Sequence, residues 1–176
     1  MPLLRFADKD RLRALTSMTG LKNSLLLLFY EMETVIKHFS ELSRDELFEI
    51  YRLRVSVFVV EQNCPYQEVD EADRHSYHLW LEDDGKIMAY LRVIPAGVVR
   101  KEVSLGRVMA LKRRCGLGSK VVSEAIRFAR QELKAQEIVI EAQVYVQAMY
   151  EQLGFKAESE VFLEDGIPHV QMRLIS

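Results

Sequence analysis

The spacing of apolar residues predicts alternating strands and helices from residue 32 onward. A strand is expected at Thr34–Phe39, and Ser43-Arg44-Asp45-Glu46 is a capping box that begins a helix. Apolar residues then follow helical spacing from Leu47 to about Val59. Residues 61–74 are polar and acidic, so we expect a loop there with at most a turn of helix.

Turn signals divide the rest of the chain into strands and helices. Asp84-Gly85 predicts a hairpin, because glycine accepts a positive φ in a tight turn. Gly106 lies inside a predicted strand, which often marks a bulge or a close backbone approach. Gly154 is expected to end a short helix. The predicted elements are strands at His75–Leu81, Ile87–Ile94, Val103–Leu111 and Glu137–Gln143, helices at Gly116–Leu133 and Tyr145–Leu153, and a hairpin of Phe155–Leu163 and His169–Ile175 across Asp165-Gly166.

This order of elements predicts a mixed α/β domain with a central crossover. Residues 1–31 stand apart from it, because scattered basic residues precede the apolar run Leu25–Tyr30 and loosely mimic a signal peptide. Acidic Glu31 and Glu33 follow the run, and no small-residue cleavage site appears. We therefore interpret residues 1–31 as an N-terminal extension, or as an over-long start, and residues 32–176 as the domain. A secretion signal remains the alternative.

The composition of the chain excludes several classes of protein. The 176 residues are 49% hydrophobic, which suits one domain with a sizeable core. The formal net charge of -2 does not call for nucleic acid or an anionic membrane as partner. No apolar run approaches the roughly 20 residues of a membrane span. Two cysteines and four histidines form neither a disulfide framework nor a metal-ligand pattern. We expect a cytoplasmic protein without a metal.

The segment Arg113-Arg114-Cys115-Gly116-Leu117-Gly118-Ser119 lies between a predicted strand and a predicted long helix. The first turn of such a helix carries unpaired N–H groups and the positive end of the helix dipole. The glycines let a phosphate approach the main chain, and the arginines add positive charge. The segment therefore predicts a pyrophosphate site, with a simple tight turn as the alternative.

Tyr150 lies on the short helix that directly follows a strand, within Gln143–Phe155. A phenol at that place can hold a thiolate leaving group and return its proton. The alternative is an aromatic ring that only packs against one helix face.

These features together resemble a known family. The sequence Arg-x-x-Gly-x-Gly after a strand, with Tyr-x-x-x-Gly-Phe about thirty residues later, resembles the GNAT (Gcn5-related N-acetyltransferase) superfamily. Three further segments resemble its ElaA branch, namely Phe58–Gln67, Gly106-Arg107-Val108 and Glu164–His169. The resemblance covers roughly residues 34–175. It implies the GNAT acyl-CoA N-acyltransferase fold, with a mixed, mostly antiparallel central sheet of about seven strands flanked by helices.

The resemblance implies that acetyl-CoA is the cosubstrate and that a primary amine of a small molecule or peptide attacks it directly in a ternary complex. Tyr150 would be the general acid. One backbone N–H of the strand before the Gly-rich loop would polarise the thioester carbonyl. The expected coenzyme A ligands are Val108, Met109, Ala110, Arg113, Arg114, Cys115, Gly116, Leu117, Gly118, Ser119 and Gln143.

The general base and the acceptor site are less defined by the sequence. Glu61 lies in the ElaA-like segment, and Glu141 shares a strand face with Gln143, so both are candidates for the base. Further candidates are the loop carboxylates Glu68, Asp70 and Glu71. Candidates for binding the acceptor are Arg54, Arg107 and His169. The stretch between Gly106 and the Gly-rich loop is about two residues shorter than the family usually shows. Which of Arg113 and Arg114 faces the phosphate therefore stays open.

Two other functions fit parts of the sequence. Arg54-Val55-Ser56-Val57-Phe58 with the acidic loop after it also resembles acyl-homoserine lactone synthases, which share this architecture and use acyl chains on a carrier protein. A binding module that holds coenzyme A without turnover is the second alternative. Homodimers are frequent among such enzymes, and the sequence leaves the oligomeric state open.

Overall fold

The structure is a computed structural model that describes residues 32–175. The extension expected at residues 1–31 lies outside the described residues. The helices and strands are β1 (Glu33–His38), α1 (Arg44–Arg54), β2 (Tyr77–Asp83), β3 (Lys86–Ile94), β4 (Val103–Ala110), α2 (Leu117–Gln131), β5 (Glu137–Gln143), α3 (Gln147–Gln152), β6 (Lys156–Ala157), β7 (Phe162–Glu164) and β8 (Ile167–Ile175).

These strands form an eight-stranded sheet in the order β1-β2-β3-β4-β5-β8-β6, with β7 also paired to β8. The pairs β2/β3, β3/β4, β5/β8, β6/β8 and β7/β8 are antiparallel, whereas β4 and β5 run parallel. This confirms the predicted mixed, mostly antiparallel sheet and its crossover, which α2 makes. The sheet has one strand more than expected, because Phe155–Leu163 contains two short strands, β6 and β7.

The two longer helices pack on opposite faces of the sheet. Ile50 and Leu53 of α1 pack against Trp80 and Tyr90, which are cross-strand neighbours. Phe128 of α2 instead contacts the ring of Tyr77, with 4.9 Å between the ring centroids. Because successive strand residues point to opposite faces, Tyr77 and Trp80 lie on different sides of β2. The central strands are therefore covered on both faces.

Local signals set the helix ends. The predicted capping box at the start of α1 is confirmed, because Ser43 Oγ accepts from Glu46 N at 3.2 Å and Glu46 Oε2 accepts from Ser43 N at 2.8 Å. After Arg54 the helix widens into π-helical turns over Val55–Glu61, where Gln62 N donates to the carbonyl of Val57. The helix was expected to end at about Val59.

Both Asp-Gly pairs form the predicted turns. Asp84 and Gly85 have φ values of 47° and 72°, and Asp165 and Gly166 have values of 49° and 78°. Two positive φ angles in succession are the type I′ geometry that matches strand twist in short hairpins. The first turn joins β2 to β3 and the second joins β7 to β8. Among the helices of residues 32–175, none is long and apolar enough to cross a bilayer.

His78 is a buried histidine inside the sheet. Its Nε2 donates to the carbonyl of Asp73 at 3.1 Å, so its Nδ1 accepts from the Tyr90 hydroxyl at 2.7 Å. Burial lowers the pKa of His78 from its usual 6.5 to about 4, although the hydrogen bond to Asp73 opposes the shift. The neutral imidazole is therefore the form that fits the fold.

This burial predicts a pH dependence of stability. As the pH falls from 6.5 to about 4, the unfolded chain protonates its imidazole while folded His78 stays neutral. The unfolded state then binds more protons, so the free energy of unfolding decreases by about 3 kcal/mol across this window. Urea unfolding at a series of pH values measures the decrease. A His78→Gln variant should show a shallower pH dependence, and an equal slope in both proteins would contradict the prediction.

Candidate active site

A split in the sheet between β4 and β5 forms the main cleft. The two strands pair only at Val103 with Ile138 and at Ser104 with Val139. Beyond these pairs both strands continue without pairing to each other, and both line a cleft of about 900 Å³. Unpaired strand edges leave backbone N–H and C=O groups available to an extended ligand. The fold therefore provides a strand-like binding slot in the middle of the sheet.

A β-bulge lies in the wall of this slot. Arg92 pairs with Gly106 and Tyr90 pairs with Met109, so Arg107 and Val108 both face the single residue Leu91. Arg107 has a φ of 54°, in the left-handed region that residues with a Cβ rarely occupy. The prediction that Gly106 marks an irregularity is confirmed, because the bulge begins at the next residue. A bulge of this kind changes the direction of the backbone N–H and C=O groups next to the slot.

The N terminus of α2 opens onto the same cleft. Gly116 precedes the helix with a φ of 83°, and within the described residues no side chain caps it. The first-turn N–H groups of Leu117, Gly118 and Ser119 have no carbonyl four residues earlier in the helix to bind. A Cβ on Gly118 would lie 3.2 Å from the sulfur of Met149 on α3, so the two helices approach closely here. These features suit an anion.

The two arginines before α2 differ in their contacts. Arg113 and Arg114 both line the cleft, and Arg113 also forms an ion pair with Glu61. Glu61 itself does not line the cleft. The Cys115 thiol donates to the carbonyl of Lys112 at 3.0 Å, and Cys115 is likewise absent from the cleft wall. Leu117 is only 1% exposed. Cys115 and Leu117 can therefore contribute to anion binding only through the main chain.

Gln143 ends β5 at the rim of the slot and is held by a second glutamine. The amide of Gln62 donates to Gln143 Oε1 at 3.1 Å, and the amide of Gln143 donates back at 3.4 Å. Both side chains line the cleft. An extended ligand that binds Gln143 must therefore share or replace this amide pair, which links the end of the π-helical turns to β5.

Tyr150 lies on α3 and faces the cleft. Its ring packs edge to face against Phe155, with 5.6 Å between the centroids. Its hydroxyl has no hydrogen-bond partner in the part of the chain that the structure describes, although the residue is only 5% exposed. Burial, and to a smaller extent nearby Tyr145, raises the pKa of this phenol. The hydroxyl therefore stays protonated at neutral pH and can donate to a ligand atom.

Glu141 and His169 lie on neighbouring antiparallel strands, β5 and β8, and line the same cleft. Glu141 Oε1 accepts from Arg100 Nη2 at 2.9 Å, in a pair that water can reach. The Nδ1 of His169 donates to the carbonyl of Ile167 at 2.8 Å. The second nitrogen of a neutral His169 is therefore an acceptor, and Glu164 lies 3.8 Å from it. Both residues are placed to contact a polar ligand.

Arg54 lies outside the cleft, in a buried ionic cluster. It is fully buried, and its guanidinium donates to Glu68 Oε1 at 2.8 Å and to Asp73 Oδ1 at 2.7 Å. The expectation that Arg54 binds substrate is therefore corrected, because a guanidinium without exposed surface cannot reach a ligand. Burial raises the pKa of Asp73, but the hydrogen bonds and charges of Arg54 and Arg92 outweigh it and give a net lowering.

The same cluster reaches the cleft through Arg92, which the sequence analysis missed, and through Asp70, a further candidate for the base. Arg92 is 4% exposed, lines the cleft, and donates to Asp70 at 2.6 Å and to Asp73 at 2.8 Å. Tyr66 and Asp70 line the cleft beside it. A charged residue inside the apolar stretch Ile87–Ile94 was a usable signal, because such a residue must find partners when the strand is buried. Within residues 32–175, no cluster of three or more His, Cys, Asp or Glu side chains could hold a metal ion.

Comparison with known proteins identifies the family of this chain. A family model described as the acetyltransferase (GNAT) domain matches residues 40–176. The chain belongs to the GNAT acetyltransferase family. Protein C11D3.02c of Schizosaccharomyces pombe is 44% identical over 147 residues, which cover 81% of this chain and 97% of the relative. ElaA of Escherichia coli is 35% identical over 142 residues, or 77% of this chain and 91% of ElaA. The predicted resemblance to the ElaA branch is thereby confirmed.

Solved structures confirm the GNAT fold. The crystal structure of an acyl-CoA N-acyltransferase from Pseudomonas aeruginosa matches with a TM-score of 0.75 and 39% identity, covering 81% of this chain and 99% of that one. The crystal structure of E. coli ElaA matches with a TM-score of 0.76 and 32% identity over the same shares of each chain. The described residues therefore have the GNAT acyl-CoA N-acyltransferase fold.

Proposed function

We propose that this GNAT protein transfers the acetyl group of acetyl-CoA to a primary amine of a small molecule or peptide by direct attack in a ternary complex. The observation that carries the proposal is the split between β4 and β5 beside the uncapped N terminus of α2. An extended slot that ends at an anion site matches a ligand with a linear amide arm and a pyrophosphate. Coenzyme A has this form.

The N terminus of α2 would bind the pyrophosphate. The main-chain N–H groups of Leu117, Gly118 and Ser119 would donate to phosphate oxygens at the positive end of the helix dipole. Arg114 lines the cleft without an ion pair in the described residues, while Arg113 is paired with Glu61. We therefore assign the direct phosphate contact to Arg114 and expect Arg113 to add long-range positive charge.

The pantetheine arm would lie along β4 in the slot. The backbone of Val108, Met109 and Ala110 would bond its amides as a neighbouring strand does, with Gln143 on the opposite side. The bulge places Val108 outside the regular β3/β4 ladder. Its N–H is therefore the group that we assign to the thioester oxygen, which gains negative charge when the amine attacks.

Tyr150 would supply the proton to the leaving group. Attack by the amine nitrogen forms a new C–N bond and a tetrahedral oxyanion, whose collapse breaks the C–S bond. The thiolate then takes the proton of the Tyr150 hydroxyl, and the phenolate regains a proton from the acceptor amine or from water. The burial that raises the pKa of Tyr150 keeps this hydroxyl protonated before the reaction. The acid is therefore ready in the resting site.

Glu141 would be the general base. It lines the cleft, whereas Glu61 does not, and the amine must lose a proton before or during attack. Arg107 and His169 also line the cleft. Arg107 would bind an acidic group of the acceptor, and His169 would line the acceptor pocket. The ion pair with Arg100 holds the Glu141 carboxylate in place while leaving its second oxygen available.

A panel assay tests the proposed reaction. Acetyl-CoA is incubated with the protein and a panel of amino acids, diamines and short peptides, and thiol release is followed. Turnover with at least one primary amine, with the acetyl group found on its nitrogen by mass spectrometry, is expected. Acyl chains on a carrier protein serve as the competing donor. Turnover only with that donor would favour a homoserine-lactone-synthase-like reaction, and acetyl-CoA binding without any turnover would favour a binding module.

Replacing Glu141 with glutamine separates the two base candidates. We expect Glu141→Gln to lower kcat by about a hundredfold, because the amide cannot accept the amine proton. Glu61→Gln should instead change the KM for acetyl-CoA, because it releases Arg113 beside the phosphate site. The two steady-state constants are measured with the best amine of the panel. Loss of kcat in Glu61→Gln alone would assign the base to Glu61.

A further inference from the structure

Arg107 has a backbone conformation that needs external support. Its φ of 54° is unfavourable for a residue with a Cβ, and it lies at the bulge where β4 leaves the regular ladder. Gly106, one residue earlier, lacks a positive φ. The conformational freedom of glycine therefore does not explain this bulge, and contacts of the Arg107 side chain are the available explanation.

The Arg107 guanidinium is held by three residues of the loop between the π-helical turns and β2. Its Nε donates to Glu68 Oε1 at 2.8 Å, and its Nη2 donates to the Glu68 carbonyl at 3.0 Å. Asp70 Oδ2 accepts from Nη2 at 3.3 Å. The ring of Tyr66 lies under the guanidinium at 5.5 Å. We call this set of contacts the Arg107 clamp.

The clamp is anchored in the protein interior. The Glu68 side chain is only 2% exposed, and its Oε1 also accepts from Arg54 Nε at 2.8 Å. Arg54 is in turn fixed by Asp73. Buried, charge-assisted hydrogen bonds of this kind are short and directional, so the position of Glu68 is tightly constrained. The hydrogen bonds of Glu68 to Arg107 can therefore fix the backbone of β4.

We propose that Arg107 is a positioning residue, and that Glu68 and Asp70 act through it to hold the bulge so that the Val108 N–H is aimed at the thioester carbonyl. The inference rests on the proposed function, because it concerns the same acetyl-CoA site. It gives Arg107 a role beyond contact with the acceptor. It also couples the loop that lines the acceptor side, through Tyr66 and Asp70, to the group that polarises the donor.

The test measures the polarisation of the carbonyl directly. Acetyl-CoA labelled with ¹³C at the thioester carbonyl is bound to the protein, and the carbonyl stretching band is followed by difference infrared spectroscopy. Wild-type protein should move the band to lower wavenumber, because an N–H donor weakens the C=O bond. Arg107→Ala and Glu68→Gln should lose most of this displacement. Their affinity for coenzyme A without the acetyl group should stay unchanged.

Two further variants serve as controls, one for backbone strain and one for general damage to the protein. Arg107→Gly removes the clamp and also the backbone strain, because glycine accepts the positive φ, so it should keep more of the displacement than Arg107→Ala. Arg173→Gln breaks a separate charge cluster, with Glu102 and Glu158, without touching the Arg107 clamp or its anchor, and it should keep the wild-type band. In turnover, the clamp variants should lower kcat by about tenfold to a hundredfold, which is at or below the loss of a whole oxyanion donor. Thermal unfolding reports whether each variant is folded.

Two results would overturn the inference. One is a wild-type displacement in folded Arg107→Ala, which would show that the bulge holds without the clamp. The other is loss of the displacement in folded Arg173→Gln, which would reduce the effect to general damage of the sheet. A failure of wild-type protein to bind acetyl-CoA would instead contradict the proposed function, so the two failures are distinguishable.

Discussion

Gly118→Glu should abolish acetyl-CoA binding. The new carboxylate would stand at the first turn of α2, where the proposed pyrophosphate needs free N–H groups and positive potential. The carboxylate and the pyrophosphate are both negative and would repel each other, and the new side chain would also fill the space that the phosphate requires. We expect the Kd for acetyl-CoA to rise by at least about a hundredfold, which is about 3 kcal/mol. Isothermal titration calorimetry measures it.

Gly118→Ala is the matched control for this variant. An added Cβ would lie 3.2 Å from the Met149 sulfur, at the flexible part of that side chain. A small shift of Met149 relieves the contact, so the alanine variant should fold and keep most of its affinity. Wild-type affinity in a folded Gly118→Glu protein would remove the N terminus of α2 from the proposed site.

Tyr150→Phe should lower kcat by about a hundredfold and leave the affinity for coenzyme A unchanged. The phenyl ring keeps the packing against Phe155, while the proton donor to the leaving thiolate is lost. The effect should therefore appear in kcat and kcat/KM together. Steady-state kinetics with the best amine of the panel, and calorimetry with coenzyme A, measure the two quantities.

Tyr77→Phe removes a phenol hydroxyl elsewhere in the domain and serves as the control. Tyr77 packs against Phe128 and is not part of the cleft wall. The kcat of Tyr77→Phe should therefore equal that of the wild type. An unchanged rate in Tyr150→Phe would assign the proton to another donor. It would also fit the binding-module alternative if the wild type itself shows no turnover.

Most of the secondary structure follows from local sequence signals. The Asp84-Gly85 and Asp165-Gly166 turns, the capping box at Ser43 and the helix start at Gly116 are all where they were predicted. Each depends on residues that are neighbours in the chain, so a short segment contains the whole signal. The short strands β6 and β7 were predicted as one strand, because residues 158–161 between them contain no glycine or proline that would signal a break.

The candidate site also has one part that the sequence predicted and one part that it did not. The residues at the start of α2 and Tyr150 were recognised from short motifs, and the structure brings them to one cleft. Arg54 was misjudged, because its position on the apolar side of α1 was read as proximity to substrate when it reflects pairing with Glu68 and Asp73. Those carboxylates lie in a loop without periodic pattern, so the chain itself does not indicate which charges meet.

Hydrophobic spacing, turn residues and two short motifs determined the order of elements, the family and the helix start that we propose as the anion site. These properties depend on interactions within a few residues. Only the tertiary structure decided where the sheet splits, that Arg107 lies at a bulge, and which of Glu61 and Glu141 lines the cleft. Such features arise from pairing and charge contacts between distant segments, whose partners are selected by burial in three dimensions.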